Sequence, residues 1–307
     1  MKKKLSRVIF AVVIFFATAL GAMAQNEHER NIAEKFTFEF PTIPSNITSP
    51  EERAEYLLIH FWDNFDFNAD YSESTLFVEQ SLVDFLSVLP YAPTDETVIM
   101  AFDILLSKSS TNSALQKDLY RLIDIYLANT DSPMRNDKLY INYLKSSLSQ
   151  PGLTEADIMR KKDMIDMLSK NMEGELATDF SYKTADGTEH TLLSTLPQES
   201  DLILIFFDPN CESCEEVMAE MIKSDNLKKR IDSGEINLLA VYSGNNFSAW
   251  KRKEAMLPDT WTVGINENEI EDSELYYFPS LPSIYRLSPD GIIKGKELTL
   301  SCILGEN

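Results

Sequence analysis

Across 307 residues, 28 Lys plus Arg stand against 49 Asp plus Glu, a formal net charge of −21. A surface that acidic repels nucleic acid and anionic lipid head groups, which excludes both as partners. Hydrophobic residues at 44% are ordinary for globular protein, and the length suits two domains.

Lys2, Lys3, Lys4 and Arg7 give the chain a basic start. Val8 to Leu20 follows as an apolar stretch too short and too early for a stable span. Ala22-Met23-Ala24 is an A-x-A cleavage site, so residues 1–24 are predicted to be a signal peptide, with the mature chain beginning at Gln25. Removing the four basic residues of that segment leaves 24 Lys plus Arg against 49 Asp plus Glu, a net charge of −25. No cysteine follows the cleavage site, which excludes a lipid anchor there, and no later stretch reaches spanning length. The expected product is exported and soluble, most simply in the periplasm of a two-membrane bacterium, a compartment that permits disulfides.

Residues 25–175 read as helical throughout. After an extended lead with Pro41 and Pro44, Ser49-Pro50-Glu51-Glu52 starts a helix with a cap, a proline at the first position and acids at the dipole. Its apolar face is Leu57, Leu58, Phe61, Trp62 and Phe65. Phe77 to Leu89 forms a second helix, stopped by Pro90. Thr94 to Ser107, Asn112 to Leu127 and Asp137 to Leu148 give three more, and Thr154-Glu155-Ala156-Asp157 opens a sixth. Short connections predict antiparallel neighbours. No chemistry is legible here. His60 reads as a packed or surface side chain, and Phe61, Trp62, Phe65 and Phe67 as core. Asn46-Ile47-Thr48 matches a glycosylation sequon that carries no weight in a bacterial setting.

Residues 176–307 alternate strands and helices. Asp186-Gly187 turns a hairpin between Phe180–Lys183 and Glu189–Leu192. Leu202 to Phe207 is a continuous apolar run, as expected of a strand buried on both faces, broken by Asp208-Pro209-Asn210. Cys211 and Cys214 then open a helix. A cysteine in the first helical turn meets unpaired N–H groups and the positive end of the dipole, which favours its thiolate. The spacing brings the two Cα atoms to roughly 5–6 Å, the range a disulfide needs, so one sulfur can attack and the other resolve. Ser224 to Gly234 is a connecting segment, Ile236 to Tyr242 a second buried strand, and Phe247 to Met256 a helix. Trp261 to Ile265 is a short edge strand, and Ile270 to Tyr277 a helix leading to Leu281-Pro282-Ser283. Ile284 to Leu287 and Ile292 to Leu298 form a hairpin through Asp290-Gly291. The segment after it is short for a closing helix.

Strand, Cys-x-x-Cys, helix, then Leu-Pro-Ser and an Asp-Gly hairpin resembles the thioredoxin-like superfamily, most of all the secreted thiol–disulfide oxidoreductases of the TlpA/ResA type. The resemblance covers residues 176–307. It implies an α/β thioredoxin-like domain with a central mixed sheet, and a redox-active Cys211–Cys214 disulfide. It also implies that Pro282 is a cis-proline facing the cysteines, with Leu281, Pro282 and Ser283 holding a substrate strand. No dissociable cofactor is needed, and the substrate would be a disulfide-containing protein. The all-α region ahead, with HFWDNFDF at residues 60–67, resembles a helical domain of unknown role that precedes thioredoxin-like domains in exported bacterial proteins. The sequence departs from thioredoxin's Trp-Cys-Gly-Pro-Cys. Asn210 replaces the tryptophan, Glu212-Ser213 the Gly-Pro, and Ile205 the buried acid six residues before the first cysteine.

Other readings of the pair stay open. A structural disulfide would close a loop too short to stabilise much. A metal site wants about four ligands, and here only Cys302 and three scattered histidines accompany the pair. A redox-idle thioredoxin fold serving as scaffold, with the helical domain recognising a partner, is the serious alternative. A peroxidase would want an arginine near a lone attacking cysteine, and none lies close in sequence to Cys211. Glu212, Glu215 and Glu216 disfavour a thiolate and offset the helix-terminus effect, which predicts a more reducing pair; a reductase in this compartment needs a membrane-bound electron donor. Cys302, beside Leu300, Ile303 and Leu304, reads as a small buried hydrophobe.

Overall fold

The structure is a computed structural model that describes residues 39–305 except Asn268, with the Glu271 side chain also outside the description. The expected signal peptide, its expected cleavage after Ala24 and the first part of the extended lead lie outside the described residues. The chain divides into two compact units between Ile165 and Asp166, ten residues before the expected boundary.

The first unit is helical: α1 Pro50–His60, α2 Thr75–Val88, α3 Asp95–Ser109, α4 Ser113–Ile123, α5 Asp137–Ser147 and α6 Glu155–Leu168, the last running through the division. Polar residues that compete with helix interiors sit where they cap helix starts. Ser49 Oγ accepts the Glu52 N–H at 3.0 Å, Thr94 Oγ1 that of Thr97 at 3.2 Å, and Asn112 Oδ1 that of Leu115 at 3.2 Å. Pro50 occupies the first turn of α1, where its missing N–H costs nothing. The fourth helix does not run regularly to Leu127. Its last turn, Asp124–Ala128, widens to a π-helix closed by the Asn129 N–H on the Asp124 carbonyl at 3.2 Å. The core is aromatic: Phe61, Trp62, Phe65, Phe67 and Phe85 are all buried, and Trp62 lies 5.1–5.9 Å from the other four rings. His60 stays at the surface, bonded to Asp63 at 2.7 Å.

The second unit is α/β around one mixed sheet: β1 Ser181–Lys183, β2 Glu189–Thr191, β3 Asp201–Phe207, β4 Ile236–Tyr242, β5 Thr262–Ile265, β6 Ser283–Leu287 and β7 Ile293–Gly295. The order is β2-β1-β5-β4-β3-β6-β7. β3 runs parallel to β4 and antiparallel to β6. Strand side chains alternate, so β3 feeds two cores. Ile203, Ile205 and Phe207 pack with Cys214, Met218 and Met221. Leu202, Leu204 and Phe206 pack with Phe180, Tyr276 and Tyr285. That two-sided burial explains the unbroken apolar run. No helix among the described residues is long and apolar enough to cross a membrane.

Several elements of this unit differ from their sequence expectation. Residues 225–232, expected as a connection, form a helix capped by Ser224, whose Oγ accepts the Leu227 N–H. Leu227 is its one buried residue, too little for a visible apolar period. β5 is not an edge strand, because the β1–β2 hairpin folds back on it through Lys183 and Ile265. Gly264 makes room for that approach: a Cβ there would lie 2.4 Å from the Tyr182 ring. The helix expected over Ile270–Tyr277 stops at Asp272. Glu274 turns left-handed at φ 48°, and Tyr276 drops into the second core. β7 ends at Gly295 rather than Leu298, and the closing helix Leu300–Leu304 has five residues.

Candidate active site

The register Phe206↔Ser283 puts the end of β3 and the start of β6 side by side at one end of the sheet's central strands. The turn after β3 and the loop before β6 therefore meet. Past β3, Asp208 Oδ1 accepts the Asn210 N–H at 2.6 Å and the Asp208 carbonyl accepts the Cys211 N–H at 3.1 Å. That tight turn hands the chain to the helix Glu212–Lys223, with Cys211 at its N-cap.

Cys211 Sγ does the work an oxygen does at other caps: it accepts the Cys214 N–H at 3.2 Å. Ser213 Oγ lies 3.1 Å from the same sulfur and donates to the Leu281 carbonyl at 2.9 Å. Leu281 O is itself 3.7 Å from Cys211 Sγ. The Leu281–Pro282 peptide is cis. Cys211, Cys214 and Leu281 are thus brought together as the sequence suggested. All three cysteines are free in this structure.

The two thiols sit in opposite electrostatic states. Partial burial pushes the Cys211 thiol up, but bonds from the Cys214 thiol, the Ser213 hydroxyl and the Cys214 N–H outweigh it, and its pKa falls below the ordinary value. Cys214 is fully buried. Burial first, then the bond to Cys211, pushes it up to about 12. Two sequence expectations change here. The Cys211 thiolate is favoured, as the helix start alone predicts and against the expected offset by the glutamates, and the carboxylate that opposes it is Asp208 rather than Glu212. The electrostatic reason for expecting a reductase goes with them.

Ser283 does not face the sulfurs. It is fully buried, and its hydroxyl donates to Glu297 Oε1 at 2.5 Å. Its side chain is therefore committed inward at the start of β6. Cys302 is exposed, not a buried hydrophobe, because Ile303 and Leu304 take the inner face of that short helix. Sequence reasoning missed Ser213, Asp208 and Glu297. Ser213 was visible between the cysteines but had no partner until the Leu281 loop folded beside it. Ile205, where thioredoxins hold an acid, is fully buried among apolar neighbours. Among the described residues no group of three or more His, Cys, Asp or Glu side chains converges to hold a metal ion.

Comparison with known proteins agrees with this architecture. Residues 19–171 match the family model described as a domain of unknown function, DUF5106. The chain is similar to a thioredoxin-like protein from Bacteroides caccae, with 27% identity, a TM-score of 0.76, and coverage of 88% of this chain and 97% of that one. A conserved protein of unknown function from Bacteroides fragilis is 26% identical over 44% of this chain and 97% of its own, with a TM-score of 0.41. A thiol-disulfide oxidoreductase from Bacteroides fragilis is 20% identical over 43% of this chain and 96% of its own, with a TM-score of 0.37. No curated protein matches. The second unit is a member of the thioredoxin-like superfamily, preceded by a helical domain of the DUF5106 kind.

Proposed function

We propose that this chain is an exported thiol–disulfide oxidoreductase acting on protein disulfides, with Cys211 as nucleophile and Cys214 as resolving thiol. The observation that carries the reading is the asymmetry of the pair. The half-exposed sulfur is held by hydrogen bonds with its pKa lowered, and the sulfur one turn on is fully buried with its pKa near 12. A structural pair would have no need of that difference. The basic-then-apolar start of the chain and its A-x-A site support export to the periplasm.

The Cys211 thiolate attacks one sulfur of a substrate disulfide. An S–S bond forms to Cys211, the substrate S–S bond breaks, and one substrate thiolate leaves and takes a proton. Cys214 then loses its proton and attacks Cys211 Sγ. The mixed disulfide breaks, the second substrate thiolate leaves, and Cys211–Cys214 closes. Two electrons have passed to the substrate, and in this direction a membrane donor must restore the dithiol. The reverse sequence oxidises a dithiol substrate with the same residues. The helical unit is proposed to recognise the partner.

Ile205 favours the alternative of a redox-idle scaffold, since it leaves no buried acid to take the Cys214 proton. Trapping decides between them. Cys214→Ser should accumulate mixed disulfides with periplasmic proteins on diagonal gels, and Cys211→Ser none. Insulin reduction with dithiothreitol should be lost in Cys211→Ser. Equal trapping by both variants, or no activity in the unsubstituted chain, leaves the scaffold reading.

A further inference from the structure

We propose that Ser213 couples ionisation of Cys211 to docking of a substrate's main chain on the Leu281 carbonyl, which makes extended peptide disulfides the preferred substrate class over small disulfides. This rests on Cys211 being the nucleophile. Three atoms form a closed triangle: Ser213 Oγ to Leu281 O 2.9 Å, Ser213 Oγ to Cys211 Sγ 3.1 Å, and Cys211 Sγ to Leu281 O 3.7 Å.

The hydrogens in that triangle can be counted. With Cys211 as a thiol there are two, one on sulfur and one on the hydroxyl, and both can point at the Leu281 carbonyl, which has two lone pairs. With Cys211 ionised one hydrogen remains. A hydrogen bond to an ion is about twice as strong as one to a neutral acceptor, so the Ser213 hydroxyl turns to the sulfur. Ionisation thus strips the carbonyl of both donors. A partly buried carbonyl without a donor seeks one. A peptide sulfur bonded to Cys211 stands about 2 Å from it. The main chain of that peptide is a few bonds further, so one of its amide N–H groups reaches the carbonyl. By linkage the same contact works backwards: an N–H docked on Leu281 holds the Ser213 hydroxyl on the thiolate and favours ionisation. A small disulfide has no main-chain N–H and gains nothing.

The test isolates the first step in full-length protein carrying Cys214→Ser. The probe is a short peptide whose cysteine bears thionitrobenzoate. Attack by the Cys211 thiolate on the cysteine sulfur releases the coloured thionitrobenzoate anion and leaves the peptide on Cys211. A twin peptide is N-methylated at the amides flanking the cysteine, and cysteamine bearing thionitrobenzoate serves as the small disulfide. Second-order rates against pH report Cys211 in the free protein, and saturating rates report it in the complex. With the unmodified peptide, the saturating profile should lie at lower pH than the second-order profile, by about half a unit for about threefold tighter docking to the thiolate. The two profiles should coincide with the methylated peptide and in Ser213→Ala. Ser213→Ala should also lose about tenfold in thiolate at a pH well below its pKa, seen as slower attack on the small disulfide. Ser213→Thr, which keeps the hydroxyl, should restore both effects. If Cys211 attacks no probe, the proposed function itself fails. If it attacks, but the profiles coincide in the Ser213 protein or the gap persists in Ser213→Ala, the coupling alone is overturned.

Discussion

The helical unit and the α/β unit both hold ionisable groups pushed far from their ordinary state, yet only one arranges them for chemistry. In the helical unit burial pushes Asp84 up to about 6. Its partner is Gln80 on the same helix, with Gln80 Nε2 donating to Asp84 Oδ1 at 2.9 Å. Burial raises Asp124 as well, and it accepts the Tyr140 hydroxyl at 2.8 Å. Asp84 thus has only a neutral partner, and Asp124 also feels the Lys161 cation, which lowers it against the effect of burial. In the α/β unit two groups of the same kind stand three residues apart and are driven in opposite directions, beside a loop carbonyl. A perturbed group marks burial; a pair perturbed oppositely, one of them reachable, marks a candidate site.

The comparison breaks most severely if the aromatic core of the helical unit is not merely structural. Trp62 is 1% exposed and ringed by Phe61, Phe65, Phe67 and Phe85. Trp62→Ala should cost about 3–5 kcal/mol of stability through lost burial and an unfilled cavity. Urea denaturation followed by circular dichroism measures this. The rate of Cys211 alkylation under native conditions should stay unchanged. A changed alkylation rate would mean the helical core tunes the thiols, and the contrast between the units would collapse.

Asp84 offers a smaller and sharper test. Its folded pKa lies above its unfolded value, so the folded state holds the proton more tightly. Stability from this group is present at low pH and is lost as pH rises from about 4 towards about 6. Asp84→Asn keeps the oxygen that Gln80 binds and removes the charge. It should stabilise the protein at pH 7 by up to about 3 kcal/mol and flatten the stability profile between about pH 4 and 7. Thermal melts across that range check it. Destabilisation at pH 7 would give the Asp84 charge a partner and a purpose.

The two units also differ in how far their sequences could be read. Helix starts were plain because Ser49, Thr94 and Asn112 cap them with side chains adjacent in sequence. β3 and β4 were plain because burial on both faces leaves no polar interruption. What was hidden depended on partners distant in the chain. β5 became internal only because a hairpin some eighty residues earlier pairs with it. The helix at Asp225–Asp232 has too little apolar surface to announce itself. At the site, Cys211 and Cys214 were legible from spacing. Ser213 and Asp208 were not, because their roles come from a carbonyl about seventy residues away and from a turn that aims a charge at the sulfurs.

That charge gives the finest test of the contrast. Sequence proximity nominates Glu212, the residue directly after the nucleophile, as the acid opposing the Cys211 thiolate. The structure leaves Glu212 exposed and gives that part to Asp208, whose charge also raises Cys214. Asp208→Asn keeps the oxygen that accepts the Asn210 N–H, so the turn should persist. The substitution should lower the Cys211 pKa by a fraction of a unit. A favoured thiolate stabilises the dithiol form, so the potential should move in the oxidising direction. One full unit would correspond to about 1.4 kcal/mol, or about 30 mV for this two-electron couple, and the expected shift is smaller than that. Glu212→Gln should shift it less still, because solvent and salt screen an exposed carboxylate. Glutathione titrations of the three proteins, with thiolate absorbance followed against pH, rank the effects. A larger shift in Glu212→Gln than in Asp208→Asn would return the acid's role to the residue nearest in sequence, and with it the reducing character that the acids around the pair first suggested.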